Sequence, residues 1–173
     1  KLDDEAVRGM MLLRANALAK GASGCRPLLV DTLLMMLNRG VIPEIPAQGS
    51  CGSSGDLAPL SHLALVVFRG PDKDRPEESG WARYQGKRLT GTEVMRAAGI
   101  ERLVPGPKEG LAMNNGAQLT TSIAALSCWD AQQLILAAEA AAAMSWEAIR
   151  GVTRAIHPGV HALRPYKGAI QTA

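Results

Sequence analysis

Residues 117–150 limit the fold more than any other stretch of the sequence. They contain neither glycine nor proline, are rich in Ala, and spread Leu, Ile and Trp over most faces of a helical projection. That pattern predicts one long helix ending at Gly151. A helix this apolar all round is not held by its own propensity and requires neighbours on every side. Glu139 and Glu147 interrupt its most hydrophobic part, so no uninterrupted run of about 18 apolar residues exists and no membrane span is expected. The composition agrees with close-packed helices, because 47% of residues are hydrophobic but only 3% aromatic, whereas a sheet sandwich draws on β-branched and aromatic side chains. The fold class read from these features is mainly α.

Upstream, the same periodicity places helices over 3–20, 26–38 and 57–68. The first opens on Asp3, Asp4 and Glu5 and stops at Gly21, as helix ends prefer. Val7, Met10, Met11, Arg14, Ala17 and Leu18 share one of its faces, which puts Arg14 on an apolar stripe. Two outcomes are open for that residue: its guanidinium snorkels to solvent, or it is buried and orders a site through a carboxylate or backbone carbonyls. Pro27 and Gly40 bracket the second helix, and Pro43 and Pro46 force an extended crossing over 41–48. Residues 69–91 are charged and rich in Pro and Gly; with a short hairpin over 81–89 around Gln85-Gly86, they read as a surface excursion without chemistry. A short helix over 93–98 leads to Pro105-Gly106-Pro107. A further helical pattern starts near Lys108 and passes Asn114-Asn115-Gly116, and His157-Pro158-Gly159 begins an irregular tail.

At 173 residues the chain is large enough for one domain. Lys1 nevertheless opens directly into a helical pattern, and Gln171-Thr172-Ala173 ends without a cap or tail, so the chain reads as a piece. A net charge of +3, evenly spread, gives no basic stripe of the kind nucleic acid selects. Cys25, Cys51 and Cys128 have no metal-ligand or redox spacing, and an odd cysteine count without a secretory leader fits a reducing cytosol. His62, His157 and His161 show no metal spacing either, and structural or surface roles are expected for them.

Gly49-Ser50-Cys51-Gly52-Ser53-Ser54-Gly55-Asp56 is the most unusual segment, and it ends on the helix that starts near Leu57. Pro59 is tolerated in that helix's first turn, where its missing amide would have had no intrahelical partner. Taken alone, the segment leaves several readings open. A phosphate loop would use glycine amides and a helix N-terminus, but no Gly-Lys-Ser/Thr follows. A nucleophile elbow needs Gly-x-Ser-x-Gly, which no register supplies. A flexible Gly/Ser turn is the third reading.

Four blocks in order bear on that choice. Residues 49–62, running on from Asp56 through Leu57-Ala58-Pro59-Leu60-Ser61-His62, resemble the signature of the aromatic amino acid ammonia-lyases, such as the histidine and phenylalanine ammonia-lyases. These enzymes build a 4-methylideneimidazole-5-one (MIO) from their own backbone. Lys108-Glu109-Gly110-Leu111-Ala112-Met113-Asn114-Asn115-Gly116-Ala117-Gln118 resembles the second block of that family. Leu13-Arg14-Ala15-Asn16-Ala17-Leu18-Ala19-Lys20-Gly21 with Ser23-Gly24, and Ser145-Trp146-Glu147-Ala148, fit as well. The resemblance covers nearly the whole chain but only about the middle third of a family member. It implies the helical bundle core of the fumarase/aspartase-like superfamily, with residues 117–150 as part of its long-helix core and both ends of the family chain absent.

The resemblance also implies site roles. The Gly55 amide attacks the Ser53 carbonyl and Ser54 becomes the methylene carbon. Gly55 leaves room for a tight closure, and Ser54 carries an oxygen that can leave. Ser53 stands where the family usually has Ala; its side chain lies outside the ring, although its hydroxyl can bond locally and hold the loop open. Asp56 supports cyclisation, caps the helix that starts at Leu57, or does both. Helix N-termini after Gly55 and near Lys108 direct partial positive charge at the ring oxygen. Asn115 contacts the MIO, Leu111 lines the substrate pocket, and Asn114 stands where an apolar residue is usual and either enters that pocket or must find a partner. Gln118 supports the site.

The implied reaction is non-oxidative deamination of an aromatic amino acid to an aryl acrylate and ammonia, without a metal or dissociable cofactor, in a homotetramer. The base, a tyrosine, belongs to a segment before Lys1, and the carboxylate-binding arginine to one after Ala173. Tyr84 and Tyr166 lie in no matching motif, so this chain alone is expected to be inactive. Rival readings are a 2,3-aminomutase using the same group, a catalytically silent core of the same fold, and an anion-binding loop in an unrelated helical protein.

Overall fold

The computed structural model describes residues 1–51 and 53–173; Gly52, inside the expected loop, lies outside the described residues. The chain divides into two compact units, Lys1–Leu126 and Ser127–Ala173.

In the first unit, α1 (Asp4–Ala19) opens with Asp4 and Glu5 and buries Val7, Met10, Met11, Arg14, Ala15 and Leu18. The stripe read from the sequence is therefore its core face, packed on α2 (Pro27–Arg39). Proline starts α2, and Gly40 ends it in the left-handed conformation at φ 73° and ψ 30°, which a side chain would oppose. The crossing that follows contributes β1 (Ile42–Pro43), which pairs antiparallel with β2 (Trp81–Tyr84); β2 pairs in turn with β3 (Lys87–Thr90). Gln85 and Gly86, both at positive φ, form the tight hairpin turn that suits the right-handed twist of its strands.

This hairpin is less peripheral than its charged composition predicts. Ala82 is fully buried, as is Ser79 just before the strand, and the Ser79 hydroxyl accepts a hydrogen bond from the Thr92 amide at 3.0 Å. Thr90 then starts α4 (Gly91–Ala97) with a complete capping box through Glu93, reciprocal bonding that satisfies otherwise free helix amides.

Two buried charges fix the helices that flank the loop. Helix α3 (Leu57–Val67) ends against Arg102, which is 5% exposed. Its Nε donates to the Val66 carbonyl at 3.0 Å and its Nη2 to the carbonyls of Leu65 and Phe68. Its Nη1 pairs with Asp74 and Thr92. A cation thus sits on the unpaired carbonyls at the negative end of the helix. The Leu103 amide also donates to the Val67 carbonyl and the Arg69 amide to the Leu103 carbonyl, each at 2.9 Å.

Helix α5 (Glu109–Asn114) is anchored at its other end. The Glu109 carboxylate, 1% exposed, accepts from the Arg26 amide and Nε at 2.9 Å, from Arg26 Nη2 at 2.6 Å and from the Gly106 amide at 2.7 Å. These hydrogen bonds, that of the Arg26 side chain foremost, outweigh burial and lower the Glu109 pKa from 4.5 to about 2.

Helix α6 (Gln118–Ala148) begins in the first unit and continues into the second, where a 3-10 turn (Thr153–Ile156), α7 (Pro158–Ala162) and α8 (Lys167–Thr172) follow. The tail is therefore not irregular as its composition predicts. His157 Nδ1 accepts from the Gly159 amide at 3.0 Å, an N-cap that lets Pro158 occupy the first helical position. Trp129, Leu134, Ile135, Leu136 and Met144 of α6 are all more than half exposed. Among the described residues, no helix is long and apolar enough to cross a membrane.

Replacing Arg102 with Met is expected to cost about 3–5 kcal/mol in urea unfolding, because it strands Asp74 and the α3 carbonyls. For Glu109, the folded pKa lies below the unfolded value, so its contribution is fully present above pH 4.5 and is lost as pH falls towards 2. Glu109→Gln should lower stability by roughly 2 kcal/mol at neutral pH, allowing for the half-exposed Arg26 partner, and the gap to the parent protein should close across that window in a pH series of unfolding curves.

Candidate active site

The loop 49–56 is closed at its base and open at its tip. Ser50 Oγ donates to Asp56 Oδ1 at 2.5 Å, joining the two ends of the segment, while Ser53 and Ser54 are exposed in a turn. Asp56 is 1% exposed. It occupies the N-cap position of α3 but makes no side-chain bond to that helix, so the expected cap on the helix at Leu57 is not formed. Its carboxylate instead accepts from the Thr120 amide at 2.8 Å and the Thr120 hydroxyl at 2.7 Å. Asp56 therefore caps α6, a helix distant in sequence, and ties the loop to it.

Electrostatics follow from this placement. Burial pushes the Asp56 pKa up, but the Ser50 hydroxyl, the Thr120 amide and hydroxyl and the Leu119 amide together draw it below its ordinary value. Asp56 is thus ionised at neutral pH, in the field of the positive end of α6. Behind the base lies a cavity of about 380 Å³ lined by Gly49, Ser50, Pro59, Leu119 and Thr120 among others.

Gly55 has φ +103°, where a side chain is strained, and an added Cβ would run into the Gly116 carbonyl. The Asp56 amide donates to that same carbonyl at 2.7 Å. Gly116 in turn lies on Arg14, since a Cβ there would meet the guanidinium and Gln118 Oε1. Only glycine at both positions lets loop, turn and guanidinium approach this closely. Arg14 is 4% exposed, so the buried outcome holds, and Gln118 supports it as acceptor.

Asn115, exposed and extended at φ −98° and ψ 109°, ends α5 beside Gly116. The end of α5 turned to the loop is thus its C-terminus. The helix start expected near Lys108 lies at the far end, where Lys108 itself adopts φ 67°, and the N-terminus that meets the loop base beside that of α3 is the start of α6.

Leu111 is 56% exposed. Asn114 is half-buried, and its Oδ1 has no hydrogen-bond partner among the described residues. It lines a cavity of about 490 Å³ with Ser61, Leu65, Phe68, Arg69 and Arg102, and no described residue of 49–56 lines that space. The structure therefore brings Gly116, the neighbour of Asn115, against Gly55 and Asp56, and places Asn114 in a cavity lined by α3. Ser50 and Thr120 were not legible as site residues; Thr120 is 64 positions from Asp56, and no local spacing marks it. Among the described residues, no cluster of His, Cys, Asp or Glu could hold a metal ion.

The sequence profile described as aromatic amino acid lyase matches residues 1–173. Histidine ammonia-lyases from Alkaliphilus metalliredigens and Alkaliphilus oremlandii are each 50% identical over 172 residues, covering 99% of this chain and 32% of theirs. The fold superposes on phenylalanine ammonia-lyase from Rhodosporidium toruloides with TM-score 0.88 at 34% identity, covering 99% of this chain and 26% of that one. It superposes on phenylalanine aminomutase from Pantoea agglomerans with TM-score 0.85 at 31% identity, covering 99% and 31%. The chain spans about a third of the length of the curated relatives it matches. With this match along its whole length and a mainly helical fold carrying a small antiparallel sheet, the chain belongs to the aromatic amino acid lyase family.

Proposed function

We propose that this chain is the electrophile-carrying central part of one subunit of an aromatic amino acid ammonia-lyase, which converts histidine, phenylalanine or tyrosine to an aryl acrylate and ammonia. The observation that carries the reading is Gly55, held without room for a side chain against Gly116, next to an Asp56 locked beneath an exposed Ser53-Ser54 tip. Those residues fit MIO formation. The Gly55 nitrogen bonds to the Ser53 carbonyl carbon, and the carbonyl oxygen leaves as water with the amide hydrogens of Gly55 and Ser54. Ser54 then loses its β-hydroxyl with its α-hydrogen as a second water. Once formed, the group supplies an electrophilic methylene to the substrate amine.

The remaining work falls to the chain's own side chains. Asp56, ionised and adjacent to Gly55, anchors the base of the loop so that the tripeptide bends while its ends stay fixed, an entropic advantage of preorganisation. Asn115 presents its exposed amide beside Gly116, and Leu111 offers an exposed apolar surface to the aryl ring. Asn114, turned to α3, reaches ring choice only through the placing of α5. The uncovered apolar residues of α6 fit a helical bundle shared in a homotetramer. The three unpaired thiols fit a reducing cytosol. The likeness to an aminomutase supports a second reading, 2,3-amino migration with the same group, and product analysis of the whole protein separates the two.

Intact mass and peptide mapping should find two water molecules missing from Ser53-Ser54-Gly55. Ser53→Ala should keep that loss and Ser54→Ala should abolish it; an unmodified tripeptide in folded parent protein would leave a silent core. Asp56→Asn should remain folded, with about 1 kcal/mol lost from the α6 cap, and should mature at least about tenfold more slowly by the same mass measurement.

A further inference from the structure

Arg14 is buried to 4% exposure without an ion pair among the described residues. Its Nη1 donates to the Ala112 carbonyl at 3.0 Å and its Nη2 to Gln118 Oε1 at 2.5 Å, while its Nε is buried with no partner. Ala112 belongs to the last turn of α5 and Gln118 is the first residue of α6. One guanidinium therefore spans the break between two helices, and the residues of that break are Asn115, Gly116 and Ala117.

A buried cation with an unused donor is a cost that packing does not require. Met10, Met11 and Leu18 fill the same face of α1 with apolar side chains, and a methionine at position 14 would continue the stripe. Burial lowers the Arg14 pKa, opposed by the negative charge of Asp56, so the cation and the carboxylate at the loop base also sense each other. Arginine's rigid fork of donors suits the geometry, since two helix ends must be held at a fixed spacing.

We propose that Arg14 is a positioning residue for the electrophile. By stapling the end of α5 to the start of α6, it holds the Asn115–Gly116 turn against Gly55, and so fixes the backbone approach from which the ring closes. Arg14 touches neither the tripeptide side chains nor substrate in this role; it acts through Gly116. The inference rests on the proposal that Ser53-Ser54-Gly55 cyclises.

The test is the rate of water loss from the tripeptide, followed by intact mass in the full-length protein after synthesis, at a temperature well below the unfolding midpoint of each variant. Arg14→Met should slow maturation at least about tenfold, the scale set by small misplacements of reacting groups. Arg14→Lys, which keeps the charge and one donor, should recover part of the rate. Gln118→Leu removes the acceptor on α6 and should slow maturation in the same direction, which keeps the test decisive if Arg14→Met does not fold. A folded Arg14→Met, or a folded Gln118→Leu if the former is unobtainable, that matures at the parent rate overturns the inference. Parent protein that never loses water would instead overturn cyclisation itself, so the two failures are distinct.

Discussion

The structure depends on a carboxylate that leaves its own helix uncapped to cap another. Asp56 sits where it would bond the first amides of α3, yet it spends its oxygens on Ser50 and on the amide and hydroxyl of Thr120. One buried anion thereby closes the loop on itself, joins it to α6 and fills the positive end of that helix. A residue without an acceptor oxygen there would leave the Thr120 amide without its partner, which is the more costly half of losing a hydrogen bond.

The other buried charges repeat this logic at the ends of α3, α5 and α6. Arg102 covers the final carbonyls of α3, Glu109 collects the Gly106 amide before α5 and the Arg26 amide before α2, and Arg14 joins α5 to α6. The elements are short: α5 has six residues and α4 seven, and helices of this length do not persist by propensity. They hold because polar groups left over at their ends meet a fixed partner of opposite sign. The chain thus uses ionised side chains as joints in the unit that surrounds the loop.

Much of this was legible in the sequence, where signals are local. Gly40 and Pro27 marked the ends of α2, Gln85-Gly86 marked the hairpin, and the stripe from Val7 to Leu18 marked the buried face of α1. The loop stood out through its glycines and serines, and its chemistry through the family blocks. What stayed hidden was long-range. Nothing near Asp56 announces that its partner is Thr120, and nothing near Lys108 shows that α5 turns its C-terminus to the loop. The charged stretch before the hairpin concealed Ser79 and Asp74, whose pairing exists only once Thr92 and Arg102 arrive from later in the chain. Hydrophobic periodicity reports on faces, not on which helix end a side chain will reach.

The distribution of exposure around the loop has a consequence for how the site is completed. Four of the charged groups that fix position are buried: Asp56, Arg14, Glu109 and Arg102. The residues proposed to meet a substrate, Ser53, Ser54, Leu111 and Asn115, are exposed. A catalytic centre needs a low-dielectric, water-excluding enclosure for its electrostatics to act at full strength, and the described residues around the exposed tip provide none. The apolar side chains of α6 are likewise uncovered. On the proposed function, rigid backing and exposed tip would divide the labour: the buried charges would hold the ends of the tripeptide, and its reacting groups would need an enclosure that the described residues around the loop do not supply.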